Sequence, residues 1–266
     1  MLKLTKNKSF LSLLSEVKQI SKLLWINGWA EANAGNFSVN ITELLKNTGF
    51  TFEKSRGIRT NNIYKYLRCN YILVSCTGSK MRDIAENPLT GLCLLYINEK
   101  GNIYYNIPLD NNINKKPTSE LLTHLEIQNL LSEKKSENKV VIHTHPAEVI
   151  AITHIKKYCS ENNLNKLLFS VQPEVSLIFP EGIGFVPYYT TGSEKLAIKT
   201  KKKFKKHNIV LWEKHGCVSI GKNFNDAFDK IDVLVKSIKI FFMCCSTGNK
   251  PEGLSVYKIK ELKKLI

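Results

Sequence analysis

The chain has 266 residues, enough to bury a sizeable core in one large domain or two small ones. Its net charge is +16, but the densest basic run, 199–207, falls on a predicted helix as a solvated face, and no aromatic interleaving or nucleic-acid motif goes with it. No apolar run reaches the length of a membrane span, no signal-type segment follows the charged N-terminus, and the seven scattered cysteines contain no C-x-x-C pair; neither nucleic acid nor membrane is expected as a partner, and the expected location is the cytoplasm.

An opening helix is predicted from Ser9, read as its cap, through Phe10, Leu14, Val17, Ile20 and Leu24 to a stop at Asn27-Gly28. A turn over 31–36 enters a strand, and the polar stretch from about 44 to 70 reads as a surface excursion. A strand over 71–75 feeds the small-residue turn Cys76-Thr77-Gly78-Ser79-Lys80, and 93–97 pairs with 103–105 as a hairpin. Thr118, after Pro117, is read as the cap of a helix to about 132, with Ser119 and Glu120 in its first turn. A short buried strand over 139–142, leading into His143, is followed by a helix from Pro146 to about 158. Strands are expected over 175–179 and 184–186, on either side of Pro180-Glu181-Gly182. Ser193 caps a helix to about 206, and 209–212 is a strand. Asn223 or Asn225 starts a long amphipathic helix through Phe228, Ile231, Val235, Ile238 and Phe242, and the tail beyond Lys250 is helical at its end. No repeat, linker or boundary interrupts this order, so residues 1–266 are expected to form a single α/β domain with interleaved strands and helices.

Chemistry concentrates at His143-Thr144-His145. Strand side chains alternate faces, so His143 and His145 point the same way, as a pair of ligands for zinc or a related divalent metal would. His215 ends another apolar run, and three histidines with an open fourth position is the layout of a catalytic metal site. Glu120 reads locally as an acid favoured by a helix dipole, and Glu174 as an acid at the edge of a strand. The turns holding Asn33, Gly35 and Asn36, and Thr77, Gly78 and Ser79, are ordinary turns by composition, yet such turns can cradle an oxyanion; Ser119 at a helix N-terminus can add to that. His124, one turn after Glu120, is either an outer partner of the site or a packed or surface histidine, while His154 and His207 look peripheral.

Taken in order, Asn33-Ala34-Gly35-Asn36, Thr77-Gly78-Ser79, Pro117-Thr118-Ser119-Glu120, His143-Thr144-His145, Pro173-Glu174, Pro180-Glu181-Gly182-Ile183-Gly184 and Leu211-Trp212-x-x-His215-Gly216 resemble the class II, metal-dependent aldolases of the aldolase/adducin superfamily, over about residues 9–248. Lys80 stands where that family usually carries a second glycine. The resemblance implies an α/β class II aldolase-like layered fold, with a central, mainly antiparallel β-sheet flanked by helices. It also implies a lyase with one Zn2+ per subunit on His143, His145 and His215, in a homotetramer whose active sites lie at subunit interfaces. The implied substrate is a sugar phosphate, with the branch that cleaves L-rhamnulose 1-phosphate to dihydroxyacetone phosphate and L-lactaldehyde the most similar. L-fuculose 1-phosphate aldolases, pentulose-phosphate epimerases, a dehydratase and the non-catalytic adducin head share the fold. By the same resemblance Glu120 removes the C3 proton in the aldol direction. Glu174, from a neighbouring subunit, handles the proton on the aldehyde oxygen, and Asn33, Gly35, Asn36, Thr77, Gly78, Ser79 and Ser119 bind the phosphate and substrate.

Overall fold

Alternating apolar side chains along the strands decide the layering. The structure, a computed structural model, describes residues 4, 6–46, 48–52, 56–60, 62–109, 115–249, 251–262 and 264. Nine strands among these form one sheet: β1 (Asn36–Asn40), β2 (Ile58–Arg59), β3 (Tyr71–Ser75), β4 (Leu92–Ile97), β5 (Ile103–Pro108), β6 (Val140–Thr144), β7 (Gly184–Val186), β8 (Ile209–Trp212) and β9 (Gly216–Gly221). Their order is β2-β5-β4-β3-β1-β6-β9-β8-β7, antiparallel throughout except for the parallel pair β7 and β8. The mainly antiparallel sheet flanked by helices is the expected architecture.

Each face takes one set of alternating residues. Phe37, Val39, Leu73, Val140, Ile142, Ile209 and Leu211 belong to the core under α1 (Lys8–Ile26) and the helices that pack near it. Among those are α9 (Phe224–Ser246), α5 (Ala147–Ile152), α6 (Glu161–Val171) and α7 (Pro173–Ile178). Burying each such side chain contributes roughly 1.5–3 kcal/mol before entropy is counted. The opposite set, Val141, Val186, Val210, Trp212, Val218 and Ile220, packs with α4 (Leu121–Glu133) and α8 (Glu194–Lys203). The short α2 (Thr42–Leu45), α3 (Met81–Glu86) and α10 (Val256–Leu262) complete the described helices.

Several boundaries differ from the sequence reading, each for a local reason. Asn7, not Ser9, caps α1, its side chain accepting from Phe10 N–H at 2.9 Å. Residues 175–179 are not a strand: Pro173 at the start of α7 presets a helical φ, and Val175 and Phe179 share the helix face turned to the core. The helix after Pro146 stops at Ile152, and 156–158 is only a turn of 3-10 helix; α6, capped by Ser160, and β9 are additional elements. The stretch 44–70 is less superficial than expected, since Tyr64 and Leu67 are buried against Ile72 and Tyr104. Thr118 is not the cap of α4: Glu120 holds that position, and its side chain makes no capping hydrogen bond.

Candidate metal centre and active site

Antiparallel neighbours bring alternate chain ends to one edge of a sheet. At the middle of this sheet the start of β1, the end of β3, the end of β6, the start of β9 and the end of β8 therefore lie together. Asn36 and His143 are register partners, so their side chains share the face that Val141 and Trp212 also use. The end of β6 is pinned to the segment after α1 by Thr144 Oγ1 and His145 N–H, which both donate to the Trp29 carbonyl, at 2.6 and 2.8 Å. Glu120 is delivered by its own strand-like tether: Thr77 N–H donates to Lys116 O and Thr118 N–H to Ser75 O, clamping 116–118 along the end of β3.

His215 arrives on the turn joining β8 to β9. Lys214 takes a left-handed conformation there, its N–H donating to Thr153 Oγ1 at 2.8 Å. Gly216 follows at φ +148°, where a β-carbon would lie 2.3 Å from Thr144 O and 3.1 Å from the His145 ring. Only glycine lets the turn close on the end of β6 at that distance. The Trp212 indole stacks on the His215 ring at 5.0 Å and packs against His143 at 4.5 Å, while its Nε1 donates to Thr200 Oγ1 at 2.8 Å.

One nitrogen from each of His143, His145 and His215 lies within 4.8 Å of the others. Their chemistry fits a cation. His143 Nδ1 faces the Cys217 carbonyl at 3.0 Å and His145 Nδ1 faces Glu31 Oε1 at 3.1 Å, so on both rings the acceptor holds the proton on Nδ1. The two Nε2 lone pairs then face each other at 2.9 Å, an arrangement that a metal ion resolves. Burial, and then the adjacent His145, lower the pKa of His143; burial, and then His143, push His215 down to about 3. Neutral imidazoles are the form that ligates.

Glu120 sits beside this triad, 95% buried, with Oε2 3.3 Å from His143 Nε2 and Oε1 3.8 Å from His215 Nε2. Oε1 has no hydrogen-bond partner, and neither has the buried Nδ1 of His215. An acceptor left bare so close to three imidazoles that could ligate is a further mark of a cation site. The cavity over these groups, about 350 Å³, is lined by Asn33, Gly35, Asn36, Thr77, Gly78, Ser119, Glu120 and the three histidines.

Of the remaining predicted residues, Ser79 stands outside that lining and its hydroxyl donates to Gly91 O at 3.3 Å. Glu174 is exposed on α7 and does not line the cavity of its own chain. His124 proves to be the outer partner, buried within 2.5 Å of Asn36, whereas His207 is tied to Glu161 and the Gly182 carbonyl away from the site. Glu31, Thr118 and Thr191 also line the cavity; Thr118 stood in the sequence only as a cap within the motif at 117–120, Glu31 only two residues before Asn33, and Thr191 carried no signal.

Three histidines that could hold a metal ion, beside a buried carboxylate at the strand ends of a mainly antiparallel sheet, are the kind of centre that a metal-dependent α/β enzyme uses. The sequence profile described as Class II Aldolase and Adducin N-terminal domain matches residues 15–242, and the chain belongs to that family. Rhamnulose-1-phosphate aldolase of Bacteroides thetaiotaomicron is 35% identical over 250 residues, covering 94% of this chain and 92% of that protein. The Yersinia pestis protein of the same name is 29% identical over 236 residues, or 87% of this chain and 85% of that one. A sugar-phosphate aldolase structure from Thermotoga maritima superposes with a TM-score of 0.73 at 31% identity, over 91% of this chain and 99% of that one. An L-fuculose 1-phosphate aldolase, at 16% identity and a TM-score of 0.64, shares the fold.

Proposed function

We propose that this class II aldolase, a single domain over residues 1–266, reversibly cleaves L-rhamnulose 1-phosphate to dihydroxyacetone phosphate and L-lactaldehyde, with zinc held by His143, His145 and His215. The observation that carries the reading is the convergence of three histidines beside the buried Glu120 carboxylate in the lining of a cavity sized for a small phosphorylated sugar. The relatives named rhamnulose-1-phosphate aldolase support the choice of sugar.

Zinc held by His143, His145 and His215 would supply Lewis-acid stabilisation of the charge that develops on the substrate as the bond breaks. The chain's own groups do the rest. Glu120, an acceptor with one free oxygen inside the cavity, removes the C3 proton in the aldol direction and returns it in the cleavage direction. Asn33, Gly35, Thr77, Gly78 and Ser119 offer amide, hydroxyl and backbone N–H groups around the cavity to the phosphate, with Asn36 and Ser79 completing the two turns. The net charge of +16 favours approach of such an anion.

Glu174 handles the second proton, that on the aldehyde oxygen, from a neighbouring copy in a cyclic homotetramer. Its exposed place on α7, beside Leu177 and Ile178 at 37% and 41% exposure, supports delivery to another chain. His143→Ala is expected to lower zinc content and aldolase turnover together, whereas Glu174→Ala should keep zinc and lose turnover by about a hundredfold, the scale of one acid–base group. Metal analysis beside a coupled dihydroxyacetone phosphate assay checks both, and zinc loss in Glu174→Ala would contradict the division of roles.

A further inference from the structure

The Glu120 carboxylate makes no capping hydrogen bond to α4; what holds it comes from Asn36 on β1, backed by His124 and Gln128 further along α4. Asn36 Nδ2 donates to Glu120 Oε2 at 2.9 Å. An ionised carboxylate only accepts, so the amide nitrogen of Asn36 must face it and Oδ1 must face the other way. Oδ1 lies 2.5 Å from His124 Nε2, which therefore carries the ring proton. The bare Nδ1 of that ring is left to accept from Ser38 Oγ, 2.9 Å away, and Ser38 Oγ accepts in turn from Gln128 Nε2 at 3.1 Å. Gln128 is itself anchored by donating to the Lys139 carbonyl at 3.0 Å. Every donor from Gln128 to Asn36 thus points toward Glu120. His124 is fully buried, and burial holds it neutral by pushing its pKa down to about 4.

The amide of Asn36 has two orientations related by a flip. One gives Glu120 a donor; the other sets an oxygen against a carboxylate. The His124 N–H selects the first. We propose that His124 is a positioning residue which, through Asn36, fixes the Glu120 carboxylate in the orientation that removes the substrate proton. This rests on the reading of Glu120 as the base.

The test isolates the Glu120 step: exchange of the C3 hydrogen of dihydroxyacetone phosphate with D2O, followed by NMR, on zinc-loaded protein without aldehyde. His124→Gln keeps an N–H donor near the position of Nε2, whereas His124→Asn reaches only the position of Nδ1. His124→Asn is expected to slow exchange by about tenfold or more, a fraction of what a general base supplies, and His124→Gln to recover most of the rate, both with normal zinc content. Equal rates in the two folded, zinc-loaded variants, or an unimpaired His124→Asn, would overturn the positioning role alone. Failure of the wild-type protein to exchange would overturn the reading of Glu120, and the proposal with it. The wild-type protein gives a second readout that needs no variant: 15N NMR of the His124 ring should find the proton on Nε2, and a proton on Nδ1 instead would overturn the proposal.

Discussion

His124 and His215 have their pKa values pushed down to about 4 and about 3, first of all by burial, against an ordinary value near 6.5. In the unfolded chain these rings take up protons as the pH falls through about 6.5, while the folded chain refuses them until near the lower values. The unfolded state therefore binds more protons across that window, and folding stability is lost as pH falls through it. For each such ring the slope approaches about 1.4 kcal/mol per pH unit. Urea unfolding of metal-free protein should show stability declining from pH 6.5 to pH 4, and declining less steeply in His124→Gln; identical slopes would contradict the assignment of a neutral buried His124. The three clustered histidines were legible in the sequence because alternation along a strand puts His143 and His145 on one side without reference to anything distant, and His215 ends another apolar run. The partners that fix their tautomers, Glu31 and the Cys217 carbonyl, were not, because each lies more than seventy residues away along the chain.

At the level of elements, the turn between β8 and β9 carries the most weight per residue. Replacing Gly216 by alanine sets a β-carbon 2.3 Å from backbone oxygen of Thr144, a contact no side-chain rotation relieves. The turn must then lift away from β6 and take His215 with it. Gly216→Ala is expected to cost on the order of 1–3 kcal/mol of stability and to weaken zinc binding at least tenfold. Thermal unfolding and competition with a chelating dye measure the two, and wild-type zinc affinity would contradict the account of how His215 is placed.

The same level shows why part of the fold escaped a reading from sequence. The 175–179 segment is a short apolar run, and periodicity cannot separate a buried strand from one turn and a half of helix; Pro173 decided it. β9, with two glycines and a serine among its six residues, has little strand character of its own and forms because β6 and β8 flank it. By contrast α8 and α9 were readable from their caps: Ser193 accepts from Leu196 N–H, and Asn223 from Asp226 N–H.

Over the whole molecule, one edge of the sheet gathers the ends of five strands, and the groups with chemistry stand there. The fold class was legible because the ordered motifs span most of the chain, whereas the residues of Glu174's own segment read as a strand edge, and its exposed place on the helix α7, outside the cavity of its own chain, is seen only in the structure. No helix among the described residues is long and apolar enough to cross a membrane. The most direct measurement is release of dihydroxyacetone phosphate from L-rhamnulose 1-phosphate, run beside L-fuculose 1-phosphate, with and without a chelator. Release that favours the rhamnulose sugar, stops with chelator and returns with zinc is the predicted result. Release unaffected by complete metal removal, or none from either sugar by zinc-loaded protein, would contradict it.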